Sequence, residues 1–197
     1  VMDPIVEGLN ASIYLDDVFV HTDSHEAHLR MLETIFSRML EKNVRLRPDK
    51  SKIAAPQVLY LGFVCGAGGR GISKEKVEAV LRYPRPTSRK QVMVLLGLLT
   101  YYSQHIRGYS ATSSPIRALL KKDAPWKWGE EEELSFRLLR YKLANAPVLS
   151  HPIFTPDYEW LLITDGSATA LGACLAQRKR GCTDPSKERP ICFLSRS

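Results

Sequence analysis

The chain of 197 residues has no Cys-x-x-Cys pair, no apolar run long enough to cross a bilayer, no internal repeat and no low-complexity tract. A membrane span needs about 20 consecutive apolar residues, and a signal peptide needs a basic, then apolar, then small-residue opening. Neither pattern occurs, so the expectation is a protein with no membrane partner, soluble and intracellular. Its four cysteines, at 65, 174, 182 and 192, lack the spacing of a zinc site or a disulfide framework and read as free thiols in a reducing compartment. Acidic residues are absent from Arg82 to Lys122, a stretch holding eight basic ones: Arg82, Arg85, Arg89, Lys90, Arg107, Arg117, Lys121 and Lys122. The whole chain carries 28 Lys plus Arg against 21 Asp plus Glu, a net charge of +7. That excess favours a polyanionic partner such as nucleic acid, and the acid-free stretch is a candidate phosphate-facing surface. The competing reading of such a run is a solvated face.

What is present divides the chain in three. Residues 13–21, Ile-Tyr-Leu-Asp-Asp-Val-Phe-Val-His, read as two β-favouring runs around a tight turn carrying two carboxylates. After Asp23 and Ser24, both good N-caps, Leu29, Leu32, Ile35, Phe36, Met39 and Leu40 recur at helical spacing, predicting an amphipathic helix to about Asn43. Strands are expected at Val44–Leu46 and Val58–Val64, with Gly66–Gly71 as the turn that follows. Next comes an all-helical run. One helix is expected from Ser73 to Arg82, stopped by Pro84 and Pro86, and another is capped by Thr87 or Ser88, with Val92, Leu95, Leu96, Leu99 and Tyr102 on its apolar face. A short helix opens at Ser114-Pro115 and ends at Lys122, and a last one spans Glu130–Leu143 with Phe136, Leu139 and Leu143 inward. From Trp160 three strands are expected, at Trp160–Asp165, Ala168–Gln177 and Ile191–Leu194. The fold class is therefore α+β.

Adjacent carboxylates on a rigid hairpin can hold divalent metal ions that stabilise an in-line phosphoryl transfer, and their hard oxygens suit Mg²⁺. An Asp-Asp pair in a turn is also common as a solvated feature. The surrounding residues decide between the two. Tyr14-Leu15-Asp16-Asp17, with His28-Leu29, Phe36, Leu46-Arg47-Pro48-Asp49-Lys50 and Tyr60-Leu61-Gly62-Phe63-Val64, resembles the reverse transcriptases of LTR retroelements, most closely the gypsy type. The resemblance continues through Leu96-Gly97-Leu98-Leu99-Thr100-Tyr101-Tyr102, Pro115-Ile116, Leu119-Leu120-Lys121-Lys122, Trp126-Lys127-Trp128 and Ala146-Pro147-Val148-Leu149, in the family's order. Ile163-Thr164-Asp165-Gly166-Ser167 and Ala170–Gln177 resemble the first two strands of the family's RNase H. Two departures stand out: Ser51 where the family has Cys, and Ser103-Gln104-His105 where a basic residue and Phe are usual.

The resemblance implies residues 1–72 as the C-terminal part of a polymerase palm, 73–150 as thumb and connection, and 151–197 as the opening strands of an RNase H-like domain. It implies Asp16 and Asp17 as catalytic metal ligands for Mg²⁺ (or Mn²⁺), with Lys50 beside the incoming nucleotide. Tyr60, Leu61, Gly62 and Phe63 become the primer grip, and Asp165 the first RNase H metal ligand. Tyr14, Arg82, Arg85, Arg89, Lys90 and Arg107 would face nucleic acid. The partners implied are an RNA or DNA template-primer duplex and dNTPs. A further polymerase Asp and the fingers would precede position 1, and the other RNase H acids would follow Ser197. The chain, which starts abruptly in Val1-Met2-Asp3-Pro4 and stops at Ser195-Arg196-Ser197, thus reads as a fragment expected to be inactive alone. The alternative is a truncated or host-adopted remnant that binds nucleic acid or protein without catalysis.

Other features carry duller expectations. His21, His25 and His28 have a metal-like spacing but too few companions for zinc, and helix entry and packing suffice for them. Tyr101, Tyr102, Trp126 and Trp128 read as core rather than base-stacking residues. Gly66–Gly71 lacks the Lys-Ser/Thr ending of a phosphate loop.

Overall fold

A computed structural model describes residues 3–168 and 170–196; expectations for Val1, Met2, Thr169 and Ser197 lie outside these. The chain forms two compact units, 1–60 and 61–197.

The first unit contains α1 (Asp3–Val6), β1 (Ala11–Tyr14), β2 (Asp17–Val20), α2 (His25–Glu41) and β3 (Gln57–Tyr60). Ser24 caps α2 by accepting from the Ala27 N–H, and Asn43 leaves it in the left-handed region at φ 53°, where Asn is tolerated. Ile5, Ile35 and Met39 form the small core, flanked by Val6, Leu9, Ala11, Val18, Val20, Met31 and Val44. Arg38 holds α1 to α2 by donating to the Ile5 and Glu7 carbonyls at 3.1 and 2.8 Å. Two expectations fail here. Leu29, Phe36 and Leu40 of α2 are exposed, because α1 and the β1–β2 hairpin are too small to cover the whole apolar stripe. No strand forms at Val44–Leu46; Val44 tucks under α2, its N–H on the Met39 carbonyl, and the chain goes on to a single 3₁₀ turn, Pro48–Lys50.

The second unit opens with the antiparallel hairpin β4 (Phe63–Gly66) and β5 (Gly69–Ile72), so the expected Val58–Val64 run is interrupted at Leu61-Gly62. Only Ala67-Gly68 is turn; the remaining glycines of the expected Gly66–Gly71 turn belong to strands. Their use is different. Arg70 pairs with Leu149 through two main-chain hydrogen bonds of 2.7 and 2.9 Å, and a Cβ on Gly69 would lie 2.2 Å from the Leu149 carbonyl oxygen. With φ at 129° as well, only glycine fits there.

Helices α3 (Lys74–Leu81) and α4 (Arg89–Tyr101) begin at Ser73 and Ser88, each accepting the expected backbone N–H. Val92, Leu95, Leu96, Leu99 and Tyr102 are all buried. Helix α5 spans Tyr109–Ala118, earlier than expected. Gly108, left-handed at φ 67°, starts it, and Pro115 sits inside, where it cannot donate to the Ala111 carbonyl. Helix α6 (Glu130–Ala144) buries Phe136, Leu139 and Leu143, and its four N-terminal glutamates lie at the positive end of its dipole. Ser135 ties it to α5 by donating to the Thr112 carbonyl at 2.6 Å.

The unit closes with an antiparallel meander, β6 (Tyr158–Gly166), β7 (Leu171–Lys179) and β8 (Arg189–Arg196), with a bulge at Leu175/Ala176. Strand β8 packs on α5, where Ser195 Oγ accepts from the Ser110 N–H at 2.8 Å, and Pro190 accepts from Ser150. Fully buried Gln177 acts as a piece of backbone turned sideways: its amide oxygen accepts from the Ile153 N–H and its amide nitrogen donates to the Ile153 carbonyl, both at 2.8 Å. The class is α+β, as expected.

The glycine crossing yields a paired test. Gly69→Ala is expected to destabilise the fold by about 2–3 kcal/mol, because the Leu149 backbone must shift. Gly68→Ala, which meets nothing within 4 Å, should stay within about 0.5 kcal/mol; urea denaturation of the two variants compares them directly.

Candidate functional site

The β1–β2 register ends at Tyr14 opposite Asp17, leaving Leu15-Asp16 as the turn. Leu15 sits at φ 57°, a conformation that costs a branched L-residue roughly 1–2 kcal/mol, and its side chain is exposed. The hairpin beneath is held from both faces. Val18 and Val20 pack toward the Ile5–Ile35–Met39 core, while Phe19, pointing the other way, stacks on Tyr60 with ring centroids 4.9 Å apart. Asp16 and Asp17 are exposed, and among the described residues neither carboxylate has a hydrogen-bond or ion-pair partner. Two adjacent hard-oxygen donors, uncommitted and on a braced tip, fit a share of a Mg²⁺ site. They do not complete one: no group of three or more His, Cys, Asp or Glu among the described residues could hold a metal. Tyr14 flanks the tip, exposed. Lys50 is exposed at the end of its 3₁₀ turn, beside the Arg47–Asp49 ion pair at 2.7 Å.

Leu61 and Gly62 adopt φ 50° and 78°, both left-handed. Phe63 then enters an aromatic cluster: it stacks on Tyr101 at 5.4 Å and His105 at 5.3 Å, and meets Tyr102 edge-on at 5.5 Å. Arg70 lies over the same ring at 4.8 Å and donates to Gln104 Oε1 at 3.0 Å. Tyr101 donates its hydroxyl proton to the Leu61 carbonyl at 2.6 Å. Of the expected core aromatics, Tyr102 is buried, whereas Tyr101 is 53% exposed and Trp126 is also exposed. Trp128 is half-buried and donates its indole N–H to Glu133, which holds that carboxyl below the usual range, with help from Arg137. His105 is 1% exposed; its Nδ1 lies 3.4 Å from the Pro147 carbonyl oxygen, and burial, reinforced by Arg70, pushes the imidazole below its ordinary pKa. Burial raises the Cys65 thiol and the Tyr102 phenol.

The acid-free stretch resolves into distinct uses. Arg82 pairs with Glu78 at 2.9 Å, and Arg85 lies over Trp128 and 3.8 Å from Glu133. Arg89 donates to the Lys122 and Ala124 carbonyls, clasping the loop that follows α5. Arg117 covers Tyr109 at 5.2 Å. Lys90, Arg107, Lys121 and Lys122 are exposed, with no side-chain partner among the described residues. Lys142 donates to the Arg107 carbonyl and to Thr112 Oγ1, and burial lowers its pKa.

Asp165 is exposed on β6, opposite Gly172, one residue before the strand ends. In the histidine group, His28 Nδ1 meets Thr22 Oγ1 at 3.3 Å, at the entry to α2. Three functional supports escaped the sequence reading: Phe19 against Tyr60, Arg89 as a loop clasp, and Gln177. Only the last had a local signal, a lone amide ending the small and apolar run Leu171–Ala176.

The family model for reverse transcriptase (RNA-dependent DNA polymerase) matches residues 1–65, and that for the RNase H-like domain found in reverse transcriptase matches 128–197. The chain is thus part of a reverse transcriptase carrying an RNase H-like domain. It belongs to the Pol polyproteins of gypsy-type LTR retroelements. It is 31% identical over 94% of its length to the retrovirus-related Pol polyprotein from transposon gypsy of Drosophila melanogaster, covering 18% of that protein. Its identity to the Pol polyprotein from transposon opus of the same fly is 29% over 94%, covering 19%. Against the transposon Tf2-3 polyprotein of Schizosaccharomyces pombe it is 29% over 92%, covering 13%. The chain therefore spans less than a fifth of the length of these relatives. In fold it is similar to the foamy viral protease-reverse transcriptase, at TM-score 0.82 and 21% identity for a complex with double-stranded DNA (98% of this chain, 33% of that one). A complex of the same protein with an RNA/DNA hybrid gives 0.81 and 21% (99% and 26%).

The buried imidazole sets a pH dependence. His105 has a folded pKa below its unfolded one, so its neutral form favours the fold above the unfolded value near 6.5, and that contribution is lost as pH falls through the folded value. The urea midpoint is expected to drop between pH 7.5 and 5, and His105→Phe to flatten that drop.

Proposed function

We propose that the chain works within an RNA-directed DNA polymerase with a fused RNase H, as the part running from the carboxylate hairpin of the palm (1–72), through thumb and connection (73–150), into the first RNase H strands (151–197). The observation that carries this reading is the pair of uncommitted carboxylates on a hairpin braced from both faces. Asp16 and Asp17 hold Mg²⁺ or Mn²⁺ together with an acid from elsewhere in the polymerase; when bound, the metal supplies charge that stabilises the attacking and leaving oxygens of nucleotide addition. Lys50, a mobile point charge at the end of a short turn, serves the phosphates of the incoming dNTP. Residues Tyr60–Phe63 set the primer terminus, and Tyr14 faces nucleic acid. Asp165 contributes to the RNase H metal site.

The template-primer is an RNA or DNA duplex, the class of ligand named for the foamy viral complexes. Arg82, Arg85, Arg89, Lys90 and Arg107 supply the positive surface; Lys90 and Arg107 are the exposed members with no side-chain hydrogen bond or ion pair among the described residues. The location proposed for the enzyme is inside the cell. Separately, among the described residues no helix is long and apolar enough to cross a membrane. Matching Pol polyproteins favour this reading over a non-catalytic remnant.

Primer extension on an RNA template with Mg²⁺ tests it, using a longer reverse transcriptase that carries this segment. Asp16→Asn/Asp17→Asn is expected to slow extension by a thousandfold or so, several kcal/mol of transition-state stabilisation; a double variant as fast as its parent would refute the assignment. For the basic surface, Lys90→Gln/Arg107→Gln in this chain should weaken duplex binding and reduce the slope of log affinity against log salt by about 2, close to one unit per lost phosphate contact. An unchanged slope would remove those residues from the interface.

A further inference from the structure

We infer that Tyr101 is a positioning residue for the primer terminus, acting through the Leu61-Gly62-Phe63 turn; the inference rests on the reading of that turn as the primer grip. A leucine followed by a glycine, both left-handed, is a backbone that the sequence alone does not favour. Three residues from one place hold it. Tyr101 donates to the Leu61 carbonyl at 2.6 Å, and its ring stacks on Phe63 at 5.4 Å. Tyr102 closes the space over Gly62, where an added Cβ would stand 3.0 Å from its hydroxyl oxygen. His105 takes the Phe63 ring at 5.3 Å.

These residues lie at the end of α4 and just beyond it, and the helix is fixed by buried Val92, Leu95, Leu96 and Leu99. Tyr101 itself is half exposed, so its place is not explained by core packing. Among the described residues its hydroxyl has one hydrogen-bond partner, the carbonyl of the left-handed leucine. The end of α4 therefore dictates the conformation of the turn, and the single hydroxyl is the adjustable part of that linkage. Persisting strain at a site is a sign that its surroundings over-determine it; here the surroundings are the aromatic side chains of one helix end.

The experiment uses the longer reverse transcriptase carrying this segment, with Tyr101→Phe, Tyr109→Phe and Asp16→Asn/Asp17→Asn compared in single-nucleotide addition. Tyr109 is the control for a lost phenol in the same helical region, since its hydroxyl bonds Thr100 and the Leu96 carbonyl and touches no part of the turn. Tyr101→Phe is expected to lower the maximal addition rate about tenfold, as small misplacements of reacting groups do. Its template-primer Kd should stay within about twofold and its melting temperature close to the parent's. Tyr109→Phe should lower the melting temperature and leave the rate alone. Equal rates for Tyr101→Phe and the parent, with the aspartate variant dead, would overturn the inference and leave the polymerase reading standing. Equal slowing by Tyr101→Phe and Tyr109→Phe would also overturn it, by showing a general packing effect. An aspartate variant that extends like the parent would remove the polymerase reading and this inference with it.

Discussion

Two main-chain hydrogen bonds, from Arg70 to Leu149 and back, hold the second unit together. They bring the residue that follows the last helix onto the hairpin that precedes the first, so the helices between form a closed loop rather than a free arm. The segment that follows builds on this crossing: Ser150 continues directly to Pro190 of β8, and Gln177 grips Ile153 three residues later. The condition for the crossing is a missing side chain at Gly69.

The hairpin so anchored is also where the end of α4 meets the Leu61-Gly62-Phe63 turn. Phe63 receives rings from Tyr101, Tyr102 and His105 and a guanidinium from Arg70. Charge and aromatic faces alternate here in a partly dry setting, where a cation over a ring is worth more than in water. His105 is the cost of that arrangement: a titratable ring, its Nε2 without a partner among the described residues, kept neutral by burial. The histidine stacks on Phe63 while adding a dependence on proton concentration.

Local features were legible in the sequence and distant ones were not. Ser24, Ser73 and Ser88 announce their helices because a cap acts within three residues. The apolar face of α4 was readable in full, since every predicted member is enclosed within one unit. The stripe of α2 was overestimated, because periodicity reports which residues can be buried and says nothing of what covers them. Pro115 misled in another way: a proline commonly opens a helix, but Gly108 had already started this one. The acids at the hairpin tip were found through motif and resemblance. Their bracing by Phe19 on Tyr60 was invisible, because it joins residues far apart in the chain. The glycines at 66–71 were noticed for their turn and miscast, since the strand that Gly69 accommodates arrives only at Leu149.

The different fates of the arginines in the acid-free stretch separate two ideas that a charge count merges. Arg82 faces Glu78, so from a distance that pair is nearly a dipole, whereas Arg85 shares Glu133 with Arg137 and their cluster stays positive. Arg89 instead donates to two backbone carbonyls, which are neutral. It is mechanically committed yet electrically undiminished. Its donors are partly spent on the loop, but its field still reaches roughly a Debye length, about 8 Å at physiological salt, into the solvent. A loop clasp can therefore speed the arrival of a polyanion.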